Sequence, residues 1–175
     1  KSTLLNRLVG EERSIVSAVA GTTRDSVAAE FAFRGHWIRV VDTAGIRRRS
    51  RVHEDLEYYS VNRALAAIDQ SDVALLLIDA VGGLSDQDKK LAGQAIRRGA
   101  SFIFVLNKWD LIPQIGNAVQ AHTDRLRFLF PGVDYAPVLP ISARNDQHFD
   151  RLLARVMDLQ VQATRRIDTG PFNRA

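Results

Sequence analysis

The apolar run FIFVL ends on Asn107, Lys108, Trp109 and Asp110. A carboxylate placed there can accept two hydrogen bonds from the N1–H and N2 amino edge of guanine. Adenine would leave it unpaired and desolvated, which is a heavy penalty. Asn107 would tie this base loop to a phosphate loop, and the Lys108 stem would pack along the base plane. DTAG, 42–45, follows the apolar run HWIRVV. Asp42 could hold a magnesium shell through water, and Gly45, with no side chain, lets its backbone N–H approach a γ-phosphate. The opening KSTLLNRL supplies Lys1, Ser2 and Thr3 at a helix start. This matches the second half of the GxxxxGK-Ser/Thr loop, in which the Lys reaches the β and γ phosphates and the hydroxyl ligates magnesium. ISA, 141–143, puts Ser142 and the Ala143 N–H where they could meet guanine O6. GTTRD, 21–25, lies between the first helix and the next strands, where a Thr can join the magnesium shell only when γ-phosphate is present. Taken singly, each has a bland reading: a solvated terminus, an Asp-containing turn, a loop. Their order along the chain, each after an apolar run, is what points to a guanine-nucleotide switch.

These residues need strand ends to hold them. Apolar runs of strand length alternate with segments of helical period, the pattern of a mostly parallel α/β sheet. Residues 2–9 predict a helix stopped by Gly10. Residues 29–33 and 36–42 predict a hairpin about Arg34-Gly35 that supplies one antiparallel edge. A polar loop, 43–53, leads to a helix over 54–70 and a strand over 72–79. Ser85 caps a helix reaching Arg98, with Asp86 and Asp88 in its first turn and Gly99 as its stop. Strand 101–107, helix 117–130, strand 136–141 and helix 148–163 complete the series. The expected architecture is the three-layer P-loop NTPase fold, with its first strand and the glycine half of the phosphate loop absent from the chain. The natural protein would supply both upstream. Residues 1–164 form the GTP-binding domain. The tail 165–175 loses periodicity, contains Gly170-Pro171, and reads as a linker or the start of a further domain.

Composition narrows the class without deciding it. The 175 residues are 46% hydrophobic and 25% charged, ordinary for one globular domain and not for a disordered chain. There is no cysteine, which excludes a disulfide scaffold, a thiolate metal site and a cysteine nucleophile; the cytoplasm is the default compartment. The longest apolar runs, such as VALLLI, are too short to span a bilayer, so no membrane partner is expected. A net charge of +4 suits contact with RNA and suits a solvated surface equally. Arg47, Arg48, Arg49 and Arg51 have the same two readings, RNA phosphates or a solvated loop. His36, His53, His122 and His148 lack metal-ligand spacing and are most simply surface residues. Asp79 ends a strand and Asp86 starts a helix, so neither is assigned acid/base work.

KSTLLNRLVGEERSIVS, AGTTRD, DTAGIRRR, YYSVNRALAAIDQSDVALLLIDA and NKWDL together resemble the second GTPase domain of the Der/EngA double-GTPase family of bacterial ribosome-assembly factors. The resemblance covers nearly the whole chain. It implies a GTPase of slow intrinsic turnover acting on the large ribosomal subunit and its rRNA, preceded by another GTPase domain and followed by a KH-like one. It implies that residues 42–46 (Asp42, Thr43, Ala44, Gly45, Ile46) and 107–110 touch GTP or GDP. Ser2 and Thr23 would ligate magnesium, and Ser17, Val19 and Thr22 would line a potassium site. Ile46 stands where small signalling GTPases carry a water-positioning Gln. Hydrolysis would then rest on Lys1 and the cations, with backbone groups of Thr23 and Gly45 orienting water. The GTPase domain of the tRNA-modifying MnmE proteins is a similar alternative, and a non-hydrolysing interaction module is a third reading. Trp109 and the tail RRIDTGPFNRA favour the first.

Overall fold

The computed structural model describes residues 2–9, 27–41, 64–113, 115–145 and 147–164. In chain order these form α1 (Ser2–Val9), β1 (Val27–Phe33), β2 (His36–Val41), a helix α2 that includes 64–69, and β3 (Ala74–Asp79). Then come α3 (Asp86–Arg97), β4 (Phe102–Asn107), α4 (Ala118–Leu129), β5 (Val138–Pro140) and α5 (Phe149–Thr164). A short 3-10 helix, Trp109–Leu111, which the sequence pattern does not reveal, follows β4.

β4 is the middle of a parallel sheet ordered β3-β4-β5. Its residues are apolar on both faces because helices cover both. Phe102, Phe104 and Leu106 join a core with Leu65 and Ile68 of α2, Ala92 and Ala95 of α3, and Leu126 of α4. Ile103 and Val105 point the other way, into a core with Leu4 and Leu8 of α1, Phe31 and Phe33 of β1, and Leu152 and Leu153 of α5. This alternation produces three layers. The β1–β2 pair is antiparallel, turned by Arg34 and Gly35, both at positive φ.

Several boundaries shift for local reasons. β1 starts at Val27, with the register slipping between Val27 and Ala29. β3 starts at Ala74. β5 is shortened because the Ala136 N–H is drawn into a turn, donating to the Val133 carbonyl at 2.9 Å. Ser85 caps α3 through a reciprocal capping box with Asp88.

Among the described residues the hairpin does not join the parallel strands in one sheet, so the expected single sheet with an antiparallel edge is two sheets. A cavity of about 660 Å³ is lined by Ile38 and Val40 of β2, Leu75 and Leu77 of β3, and Leu4 and Leu153 from the helices. The fold class is the expected one.

Candidate nucleotide-base site

The parallel strands end level with one another, and the site grows from those ends. Asp79 pairs in register with Asn107, and Leu106 with Pro140. The ladder runs on past the strands: the Ala80 N–H donates to the Asn107 carbonyl (2.9 Å), the Ile141 N–H to Leu106 (2.8 Å) and the Trp109 N–H to Ile141 (3.0 Å). Asn107, Lys108, Ser142 and Ala143 are thereby brought together at the carboxyl edge, where open α/β sheets hold ligands.

Within this cluster the side chains lock the backbone. The Ala143 N–H donates to Asn107 Oδ1 at 3.1 Å. Asn107 therefore ties the base loop to the 142–147 loop, and the amide expected to be free for a base oxygen has a protein acceptor. Ser142 is fully buried, and its Oγ accepts the Asn145 N–H at 3.2 Å, which closes a turn. Its backbone also pairs with Gln147 in both directions, at 3.3 and 3.2 Å. Ser142 contributes loop shape and no side-chain surface. Lys108 adopts the left-handed conformation, φ 65°, which turns the chain from β4 into the 3-10 helix. Its ammonium donates to Asp79 Oδ2. Asp110 is exposed, and among the described residues its carboxylate has no partner.

Trp109 is the main departure from expectation. Placed by sequence among the nucleotide-binding residues, it is only 2% exposed and belongs to the core between the sheet and α4. Its ring meets that of His122 edge-on, centroids 5.3 Å apart. The 3-10 turn puts Lys108 and Asp110 outward and rotates Trp109 inward, so its side chain anchors the loop. His122 is likewise no simple surface residue: half-buried, it sets Nδ1 2.8 Å from the Ala118 carbonyl oxygen and Nε2 3.3 Å from that of Ala80. A His one helical turn beyond the start of α4 was the sequence signal, too weak to use alone.

Asp79, to which the sequence assigns no acid/base work, is held by backbone and side-chain partners at the end of β3. Its Oδ1 accepts the N–H groups of Val81 (3.0 Å) and Gly82 (3.1 Å), and the Lys108 hydrogen bond, with those amides, holds its pKa below the ordinary carboxylate value. The signal that could have found it is its register with Asn107.

Thr3 is exposed on α1. Lys1, the side chain of Ser2, Ser17, Val19, Thr22, Thr23, Asp42, Thr43, Ala44, Gly45, Ile46 and the arginine run lie outside the described residues, as do His53 and the tail 165–175. Among the described residues no group of three or more His, Asp or Glu could hold a metal ion, and no helix is long and apolar enough to cross a membrane.

Comparison with known proteins agrees with this geometry. The chain is 46% identical over 173 residues to GTPase Der of Thermoanaerobacter sp. (strain X514), and 42% identical over 173 residues to GTPase Der of Geobacillus kaustophilus (strain HTA426). Each alignment covers 99% of this chain and 39% or 40% of the relative, so the chain spans about two fifths of those proteins' length. Among solved structures, Era in complex with MgGDPNP and nucleotides 1506–1542 of 16S ribosomal RNA matches at TM-score 0.66 and 29% identity, over 90% of this chain and 52% of that one. An Aquifex aeolicus Era variant bound to GDP and AlF4- matches at TM-score 0.67 and 30% identity, with the same coverage. The family pattern described as "50S ribosome-binding GTPase" matches residues 1–108. With a strand-end base loop, a three-layer α/β fold and that match over more than half its length, the chain belongs to the 50S ribosome-binding GTPases.

Proposed function

We propose that this chain is the nucleotide-binding domain of a GTP-hydrolysing switch that acts in assembly of the bacterial large ribosomal subunit. The observation that carries the reading is the base loop: Asp110 stands exposed one turn beyond the end of β4, beside Asn107, on a loop locked to two neighbouring strand ends. Asp110 accepts from N1–H and the N2 amino group of guanine, and the Lys108 stem covers the base plane. The Ala143 amide shares its hydrogen between Asn107 and O6. Similarity to GTPase Der along 99% of the chain supports this reading over the tRNA-modification alternative.

At the phosphate end, Lys1 neutralises β and γ charge, and the backbone of Thr23 and Gly45 orients water. Thr43, Ala44 and Ile46 contact nucleotide beside them. Ser2 and Thr23, with Asp42 behind water, are the hard oxygen donors that magnesium takes, and Ser17, Val19 and Thr22 are the corresponding potassium donors. The cations supply charge neutralisation of the phosphates. With Ile46 in place of a water-positioning amide, turnover is slow. The arginine run at 47–51 meets rRNA phosphates. Solved Era, a structural neighbour, holds ribosomal RNA, which supports an RNA-facing role. Residues 1–164 are the domain, and 165–175 lead toward a KH-like RNA-binding domain; another GTPase domain precedes it, and the protein works in the cytoplasm.

The test is nucleotide choice in the full-length protein that carries this chain. Wild type should bind GDP and not ADP, and Asp110→Asn should shift preference to xanthine nucleotides, whose O2 needs a donor. Equal affinity for ADP and GDP would sink the guanine reading. GTP binding with no turnover in magnesium and potassium would favour the interaction module.

A further inference from the structure

Asp79 is built into the turn after β3 and reaches across to the base loop. Its two carboxylate oxygens have divided duties. Oδ1 takes the Val81 and Gly82 amides, and the Gly83 N–H donates to the Asp79 carbonyl at 2.8 Å, so the turn 79–83 is folded around this residue. Oδ2 is left pointing at the Lys108 ammonium. The register pair Asp79↔Asn107 fixes the distance between the two strands' ends, so Lys108 begins one residue beyond its anchor. Lys108 also occupies a left-handed backbone position that glycine takes more readily.

We propose that Asp79 is a positioning residue of the nucleotide site, its carboxylate holding the Lys108 ammonium so that the lysine stem is laid out as a flat wall for the guanine ring. This rests on the guanine reading of the site. An ammonium left free would sample many rotamers, and a base settling on it would have to order the whole side chain. Tethered at its tip, the stem is ordered before nucleotide arrives. The competing description is a turn-capping Asp with an incidental, half-exposed ion pair: side-chain exposures are 53% for Lys108 and 35% for Asp79. Pairs of that kind usually contribute little.

The two descriptions separate in a double-mutant cycle on the full-length protein, read by dissociation of a fluorescent methylanthraniloyl-GDP. Asp79→Asn keeps an oxygen for the Val81 and Gly82 amides and loses the charge facing Lys108. It should speed dissociation about fivefold, the upper end for a half-exposed ion pair, with the melting temperature within about 2 °C of wild type. Lys108→Ala should speed it at least as much, and the double variant should be no faster than Lys108→Ala alone. If Asp79→Asn dissociates GDP at the wild-type rate, or if the two effects multiply in the double variant, the proposal is overturned while the guanine reading stands. GDP binding and release that are identical in wild type and Asp110→Asn overturn both, because this site then holds no guanine. Should Asp79→Asn not fold, Asp79→Ser, whose hydroxyl can also accept in the turn, enters the same cycle with the same criteria.

Discussion

Among the described residues, Asn107→Ala removes the acceptor of the Ala143 N–H. Ala143 is 3% exposed, so its amide would be left buried with no partner within the protein. An unsatisfied buried donor costs about 1–3 kcal/mol. The bond is partly buried, at the rim of the cluster, where water can recover some of that loss, which places the expected destabilisation at about 1–2 kcal/mol. For a domain of this length each kcal/mol lowers the melting temperature by about 2–4 °C, so a fall of about 2–8 °C is expected. Hydrogen exchange followed residue by residue is the sharper assay. The Ala143 amide should lose about tenfold protection relative to Ile141, whose N–H donates to the Leu106 carbonyl at 2.8 Å and does not depend on Asn107. Asn107→Asp retains an oxygen acceptor and should restore Ala143 protection. Unchanged exchange at Ala143 in the alanine variant, with Ile141 as internal reference, would refute the tie between the two loops.

Three further outcomes follow from the same geometry. Trp109→Ala should cost about 3–5 kcal/mol in urea denaturation because the ring is core; a loss under about 1 kcal/mol would mean that the ring does not pack as described. Ser85→Ala breaks the capping box of α3 and should cost about 1 kcal/mol while leaving GDP affinity unchanged; the cap is disproved as a stabilising element if denaturation midpoints coincide. The Asp79 carboxyl, held below its ordinary value first by the Lys108 hydrogen bond and then by the Gly82 amide, contributes stability above the unfolded value of about 3.9. That contribution fades only as pH falls through the lower folded value, so this carboxyl adds no pH dependence above about pH 5. A carboxyl ¹³C titration of Asp79 with a midpoint at or above the ordinary Asp value would contradict it.

The base end of the site was legible because its signals are local. FIFVL is apolar at every position and short, which suits a strand covered on both faces, and NKWD begins at the last residue of β4. Arg34-Gly35 and the Ser85–Asp88 box announce a turn and a cap through short-range chemistry. What escaped the sequence depends on tertiary placement. Trp109 inside a polar tetrapeptide gives no sign of the 3-10 turn that rotates it into the core. Asp79 gains its partner only through the register of β3 on β4. Among the described residues the strands fall into two sheets, β1-β2 and β3-β4-β5, and which strands share a sheet is a tertiary matter that hydrophobic periodicity alone does not encode.

Where these interactions sit bears on how the site works. The base loop is fastened by Asn107 to the 142–147 loop, by the Trp109 amide to Ile141, by the Trp109 ring to α4, and by Lys108 to the turn after β3. Each tie runs to a strand end or helix already fixed by the β3-β4-β5 core. A pocket held on rigid elements in this way is ordered before its ligand arrives, which favours discrimination over adaptability. In the proposed GTPase, guanine selection then belongs to the base loop and the strand ends that hold it. Under that proposal the residues expected to read the γ-phosphate, Thr23, Asp42 and Gly45, would do so without a part in base selection. Substitutions in the base loop should consequently alter which nucleotide binds and how long it stays, while the ratio of GTP to GDP affinity is set elsewhere.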